Sequence, residues 1–330
     1  MTMGFGGKVR IRFAEYKDIP AVMEFIDTHW KKGHIMGRDR RLFEFQHLWG
    51  EEVSFAMAEE GGQVKGILGF IPYGSSRRDA TLAIWKALKT SDTMLGIHIL
   101  EFLRKNGDIR FISAPGINPR TVSVYQFLGL NTGRMAHWYR LRRGGCHKIA
   151  HVTDPAVPRH AEATGLKISP VFGLGEGFDI TGCLRRDRQL YKSPDFIGRR
   201  YFKHPVFEYL KYGVELGEEK LFVVLRVQPC NGSKALRLID CIGDHGLIRF
   251  LAPMLDRLLD SLGCEYVDCY EAGVDGGIFR DGGWLPVPGS GNTIPEYFSP
   301  FEQKNIDIYY MSEIDGAILF KGDGDMDRPN

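Results

Sequence analysis

Twice along the chain a helical run of apolar residues is stopped by a glycine and followed at once by a strand-like run: FLRKNGDIRFI at 102–112 and LLDSLGCEYVD at 258–268. A helix that feeds directly into a strand restricts the fold to layered arrangements of helices on sheets. Laid over one another, the two stretches share the helix-ending glycine, and the repetition implies a duplicated unit. In the same way RRLFEFQHLWG (40–50) lies over KHPVFEYLKYG (203–213), each carrying a Phe-Glu-aromatic triplet and ending in glycine. A chain of 330 residues also exceeds what one ordinary core fills, so two cores are expected.

The pattern between these anchors predicts a mixed α/β (α+β) sheet protein. Residues 8–13 alternate as a strand, and Asp18 and Pro20 open a helix carried by Ile19, Val22, Met23 and Ile26. A second helix is expected near Arg40–Trp49, then a hairpin turning at Gly61 and Gly62, a further strand TLAIWKAL, a helix over 94–105, a strand DIRFISAP, a helix over 118–128 and a strand over 135–142. Periodicity fades from 144 to 199. A second series then begins with a helix around 200–212, strands LFVVLRV and ALRLIDCIG, a helix over 246–261 and a strand EYVDCYEA. The expected division is 1–143, a crossover over 144–199, and 200–330.

Several function classes are set aside. No apolar run approaches the length of a membrane span, and the first residues lack a secretory signal, so a cytoplasmic protein is expected. The six cysteines form no CxxC pair or Cys/His cluster, which points to reduced thiols and no metal site. A net charge of +2 supplies no electrostatic reason for nucleic acid. No Ser or Cys stands in a nucleophile motif, so any group transfer would be direct.

Two motifs carry chemistry. Thr93, Met94, Leu95, Gly96, Ile97 and His98 open the third helix, where free N–H groups, the helix dipole and a small residue at 96 suit a phosphate. The run from Asn118 to Leu130 has an Asn at a helix start and Tyr125 four residues ahead of Gly129-Leu130. Together with the element order over residues 8–142, these resemble the GCN5-related N-acetyltransferase (GNAT) superfamily. The resemblance implies that the start of the helix at Gly96 meets the pyrophosphate of coenzyme A, though Thr93 and His98 depart from the family's basic or amide residue and second small residue. It also implies that the backbone at Leu88, Lys89 and Thr90 pairs with the pantetheine arm, that Asn118 contacts that arm, and that Tyr125 protonates the departing thiolate. Acyl-CoA is then the donor substrate. In the second half, Arg249-Phe250-Leu251-Ala252-Pro253-Met254 stands where Thr93 to His98 stands in the first; Pro253 removes a donor and no glycine is present, so the second GNAT-like copy is expected to be degenerate.

For the acceptor, His34, Arg38 and Arg40 could meet an anionic or hydroxyl-rich molecule, and Tyr73 could stack on a ring. From the second half, Asp240, Glu271 and Trp284 are expected at strand ends or loops, lining the acceptor's place. His34 is the candidate base for the attacking amine, with Glu271 through water as the alternative. The tail ILFKGDGDMDRPN and the two-copy layout resemble tandem-GNAT sugar N-acyltransferases of bacterial surface-glycan pathways, including O-antigen and lipopolysaccharide synthesis. That resemblance implies a nucleotide-linked amino sugar as acceptor and an acetyl or short hydroxyacyl donor such as 3-hydroxybutyryl-CoA. Tandem-GNAT aminoacyltransferases that use aminoacyl-tRNA, and a catalytically inert GNAT-like module, are the rival readings.

Overall fold

Buried positions alternate or run continuously along four stretches of the first hundred residues, and each becomes a strand: β2 (Val9–Phe13), β3 (Phe55–Glu60), β4 (Gln63–Pro72) and β5 (Asp79–Ala87); a short strand β1 (Met3–Phe5) precedes them. They pair antiparallel in the order β1-β2-β3-β4-β5. The β3–β4 hairpin turns at Gly61 and Gly62, both with φ near +60 to +77°, as the right-handed twist of a two-residue hairpin requires. β6 (Phe111–Ile117) joins β5 in parallel, reached through the helix α4 (Leu95–Asn106). The computed structural model describes residues 3–5, 9–74, 78–184 and 187–329.

This sheet belongs to the first of two compact units, Met1–Ala114 with Arg328–Asn330; the second is Pro115–Asp327, so the chain leaves the first unit within β6. Helices α1 (Ile19–Phe25), α2 (Ile35–Arg38) and α3 (Arg40–His47) bury Ile19, Val22, Met36, Leu42 and Phe43 against Phe55, Met57 and Ile67 of the sheet. Asp39 accepts the Leu42 N–H at 3.0 Å and so starts α3, satisfying one of its orphan donors.

In the second unit come α5 (Val122–Phe127), β7 (Asn131–Arg134), β8 (Ala136–Leu141), β9 (Lys167–Pro170), β10 (Leu210–Leu216), β11 (Glu219–Cys230), β12 (Ser233–Gly243), α6 (Ala252–Leu262), β13 (Tyr266–Ala272), α7 (Gly276–Asp281), β14 (Leu285–Pro286), β15 (Tyr309–Ser312) and β16 (Leu319–Phe320). The main sheet runs β9-β10-β11-β12-β13-β8-β14. All its pairs are antiparallel except β12–β13, which α6 connects as a crossover. Leu221, Val223, Leu225, Leu236, Leu238, Leu255 and Leu259 form its core.

Three expectations need correction. The strand over 135–142 does not complete the first sheet: β8 pairs with β13 from Ala136↔Glu271 to Leu141↔Tyr266, held by the Trp138 indole on Glu271 and by Arg140 on Asp256. The helix expected around 200–212 does not run past Phe202, because Pro205 cannot be held inside one and His204 before it is steered from helical backbone. There a short helix Pro194–Ile197 runs into a wide turn Gly198–Phe202, and 210–216 is strand. The overlay of 40–50 on 203–213 therefore matches helix with turn and strand. The stretches 102–112 and 258–268 do take one form: α4 gives way at Gly107 to β6, and α6 at Gly263, left-handed at φ +66°, to β13.

Candidate functional site

The first unit's sheet opens between its two parallel strands. Their ladder has three rungs, Asp79↔Phe111, Ala80↔Ile112 and Thr81↔Ser113. Its closed end is clamped by Arg110, whose Nε and a terminal nitrogen reach the buried Asp79 carboxylate at 2.8 and 2.5 Å. Just beyond the third rung β5 bulges: Phe70 faces Leu82 and Leu68 faces Trp85, so Ala83 and Ile84 together oppose Gly69. The Phe55 ring lies where a Cβ on Gly69 would stand, 2.7 Å away, so a glycine is required there. A bulge bends and twists its strand, which turns the far half of β5 away from the ladder. At the apex Ser113 Oγ is buried and meets no hydrogen-bond partner among the described residues.

Beyond the bulge, β5 leads to the start of α4. Trp85 donates its indole N–H to the Gly96 carbonyl at 3.1 Å, tying strand end to helix start. His98 is the first residue of the helix to bond back along it, to Met94 O at 3.0 Å, so the N–H groups of Gly96 and Ile97 are first-turn donors of the kind that helix geometry leaves over. A Cβ on Gly96 would find ordinary contacts of 3.6–3.7 Å with Trp85 and Ala87, so protein packing does not demand glycine there. Leu88 gives its N–H to Lys65 O at 2.8 Å; it faces β4, and in a strand its neighbours' N–H groups face the opposite, open edge. Lys89 is exposed, and Thr90 takes the Asp92 N–H on its hydroxyl at 3.1 Å.

Sequence reasoning missed Asp92. Its carboxylate accepts the Met94 N–H at 2.9 Å and holds His98 Nδ1 at 2.6 Å, while Thr93 and Met94 are exposed and Leu95 is buried. The signal was available, since Asp is a favoured helix-starting residue and lies just ahead of the apolar run. It puts an acidic group beside the helix start, balanced when His98 is protonated.

The remaining expected residues are spread over both units. In the first, His34 is buried; Met36 N–H points at its Nδ1 at 3.3 Å and the Arg328 guanidinium at its Nε2. A neutral imidazole has one acceptor nitrogen, so only one of these is a full hydrogen bond at a time. Arg38 is exposed, and Arg40 pairs with Glu44 at 2.8 Å and lies over Tyr16. Tyr73 is wholly buried rather than available for stacking. In the second unit, Asn118 is exposed and accepts the Arg120 N–H at 3.0 Å, starting the turn ahead of α5. Tyr125 on α5 is 3% exposed, and burial pushes its phenol well above the ordinary range, so it stays protonated. Asp240 and Trp284, expected to line a ligand's place, lie in the interior: Asp240 is held by Lys192 and Tyr201, both at 2.6 Å, and Trp284 packs edge-on against Phe279. Glu271 is 2% exposed, accepts the Trp138 indole at 2.9 Å and the Val274 N–H at 3.1 Å, and is pushed by burial to about 7.

No protein-family model matches the chain, and no curated protein matches it. Solved structures do. A GCN5-related N-acetyltransferase from Anabaena variabilis aligns over 93% of this chain and 73% of its own at 13% identity, TM-score 0.58. One from Kribbella flavida aligns over 92% and 70% at 13% identity, TM-score 0.51. A conserved protein from Enterococcus faecalis V583 aligns over 93% and 74% at 11% identity, TM-score 0.54. At such identities the likeness is one of fold: the chain has the mixed α/β fold of GCN5-related N-acetyltransferases across both its units. Among the described residues no helix is long and apolar enough to cross a membrane.

Proposed function

We propose that this chain is an acyl-CoA-dependent N-acyltransferase that moves an acyl group, acetyl or a short hydroxyacyl such as 3-hydroxybutyryl, to an amine, and that the acceptor is a nucleotide-linked amino sugar of bacterial surface-glycan synthesis. The carrying observation is the open edge of β5: a strand that bulges away from its parallel partner, leads to first-turn helix donors, and leaves the Ser113 hydroxyl unpaired at the apex. An extended ligand with amide groups can add to such an edge as a strand does, and a pyrophosphate suits the N–H groups at Gly96 and Ile97.

The chemistry balances without a covalent enzyme intermediate. A neutral amine attacks the thioester carbon, the C–N bond forms, the C–S bond breaks, the amine loses one proton and the thiolate gains one. The family resemblance gives that last proton to Tyr125. A buried phenol is a weaker acid than a thiol, so its contribution is a hydrogen bond to the developing thiolate more than a completed transfer. Of the two bases considered, His34 is engaged with Met36 and Arg328, and protonating it would set two cations in contact. Glu271 is engaged as well, accepting the Trp138 indole and the Val274 N–H, but burial pushes it up to about 7, so it is the base put to the test.

The test is a mass-spectrometric screen of acyl-CoA donors against nucleotide-linked amino sugars, with free thiol measured in parallel. Equal amounts of amide product and thiol are expected for at least one pair. Asp92, an anion at the proposed phosphate site, favours the rival reading of an inert module. A chain that binds no acyl-CoA in a direct titration settles for that rival.

A further inference from the structure

The second unit repeats the splay of the first. The parallel ladder of β12 and β13 also has three rungs, Leu236↔Val267, Arg237↔Asp268 and Leu238↔Cys269. Immediately after it β12 bulges: Val224 faces Asp240 and Leu225 faces Leu238, leaving Ile239 as the extra residue. In the first unit the corresponding edge of β5 is open. Here the chain's own tail fills the place. β16 pairs antiparallel with β13 at Glu271↔Phe320 and Ala272↔Leu319, beyond the last rung, and the turn after it lies against β12. Gly322 is pressed so closely to the bulge that a Cβ would come within 3.0 Å of Ile239 O, 3.1 Å of Asp240 Cβ and 2.6 Å of the Tyr201 hydroxyl.

The tail is also clipped from inside. Lys192, fully buried, bridges Asp240 of β12 at 2.6 Å and Asp323 of the tail at 2.8 Å, and Asp323 accepts the Phe320 N–H at 2.7 Å. Lys321 pairs with Glu296. Further on, Asp327 receives Arg226 and the Tyr209 hydroxyl, each at 2.7 Å. Leu319 and Phe320 are wholly buried. The helix that would face a ligand's reacting end has also lost its hydroxyl. After α5, Leu130 N–H bonds to Tyr125 O, and Gly129 N–H to Gln126 O; after α7, Trp284 N–H bonds to Phe279 O, and Gly283 N–H to Arg280 O, so Phe279 holds on α7 the place that Tyr125 holds on α5.

We propose that the segment from Ile318 to Asp323 is a built-in occupant of the second unit's splay, standing there in place of a donor's amide-bearing arm and closing that unit to any strand-like ligand. The comparison with a donor arm rests on the proposed function; the occupancy does not.

Hydrogen exchange of the full chain, read segment by segment with and without coenzyme A, tests it. The amides of Leu319 to Asp323 should be protected to the order of β13, and saturating coenzyme A should leave that protection unchanged. Gly322→Val, which thrusts a Cβ into the bulge, should raise exchange over 318–327 by about tenfold or more while Leu221 to Leu225 stay protected. Where that variant does not fold, Asp323→Asn, which keeps the shape but weakens the clip, should raise exchange there by a smaller factor. Free-chain exchange at 319–323 in the unmodified protein overturns the proposal, and so does a coenzyme A-induced loss of protection with two equivalents bound. A chain that binds no coenzyme A yet protects 319–323 supports the occupancy and overturns the donor reading instead.

Discussion

Tyr125 and Glu271 are two side chains whose chemistry burial alters and whose substitution separates structure from catalysis. Tyr125→Phe removes only a hydroxyl. If that group assists the thiolate, a hydrogen bond to a charged group is lost, and thiol release should fall by about 10- to 100-fold with coenzyme A affinity nearly unchanged. If it only satisfies the interior, the melting temperature should drop with turnover near normal; a thermal melt and a thiol assay on one preparation distinguish the cases. Glu271 titrates near 7 in the fold against an ordinary 4.5, because burial penalises its charge. Below about 4.5 both folded and unfolded chains hold the proton. Between 4.5 and 7 only the folded chain keeps it, so this group makes stability fall as pH rises through that window, by about 3 kcal/mol in all, and contributes no further slope above 7. Glu271→Gln should flatten that part of the pH dependence in urea unfolding at pH 5 and pH 8. The same variant should remove the limb near pH 7 from kcat/KM; an unchanged limb would sink its role as base.

At the scale of elements, the proposed donor site rests on the start of α4 and the end of β5. Gly96→Leu keeps a good helix former and meets only ordinary contacts at its Cβ, so folding should survive. Coenzyme A affinity should fall by about tenfold or more, because the longer side chain stands over the first-turn N–H groups. Unchanged affinity in a folded variant removes this helix start from the site. Asp92→Asn preserves an acceptor for the Met94 N–H and deletes a negative charge beside the same groups. It should tighten coenzyme A binding by about threefold, more at low salt than at high, and titration calorimetry at two ionic strengths reads both. These elements were largely visible beforehand: the hairpin from Gly61-Gly62, the helix from its apolar spacing and terminal Asn106-Gly107, the strand over 111–117 from the apolar residues that follow. The bulge was not, because it is a change of pairing between β4 and β5, beside the Gly69 that the Phe55 ring covers, and register across a sheet is not written in the spacing along one strand.

For the molecule as a whole, the two units share a parallel pair that splays after three rungs and a bulge beside it, yet they differ in what stands at the open edge. One equivalent of coenzyme A per chain is therefore the expected calorimetric stoichiometry; two equivalent sites would contradict the lack of a glycine over Arg249 to Met254, the lack of a hydroxyl at Phe279, and the filled splay of the second unit. That unit invests instead in buried ion pairs. Arg237 meets Glu296 and Asp268, Lys192 meets Asp240 and Asp323, and Arg226 meets Asp327, all in the interior. Each is strongly destabilising to break singly, since the partner left behind stays charged and dry.

The sequence by itself determined the local elements that depend on near neighbours: helices with a 3.6-residue apolar stripe, a hairpin with two glycines, and a glycine after each crossover helix. It also carried the Asn118 to Leu130 pattern and the candidate Tyr125. Only the tertiary structure decided which sheet takes Ala136–Leu141, that Leu210–Leu216 is a strand, and that Asp240, Trp284 and Tyr73 are interior. It alone revealed that residues 319–323 lie in the second splay. The reason is physical: spacing along a chain registers which face a residue shares with its near neighbours, whereas strand exchange, ion pairs such as Lys192 with Asp323, and a tail laid into a sheet are fixed by contacts between residues far apart in the chain.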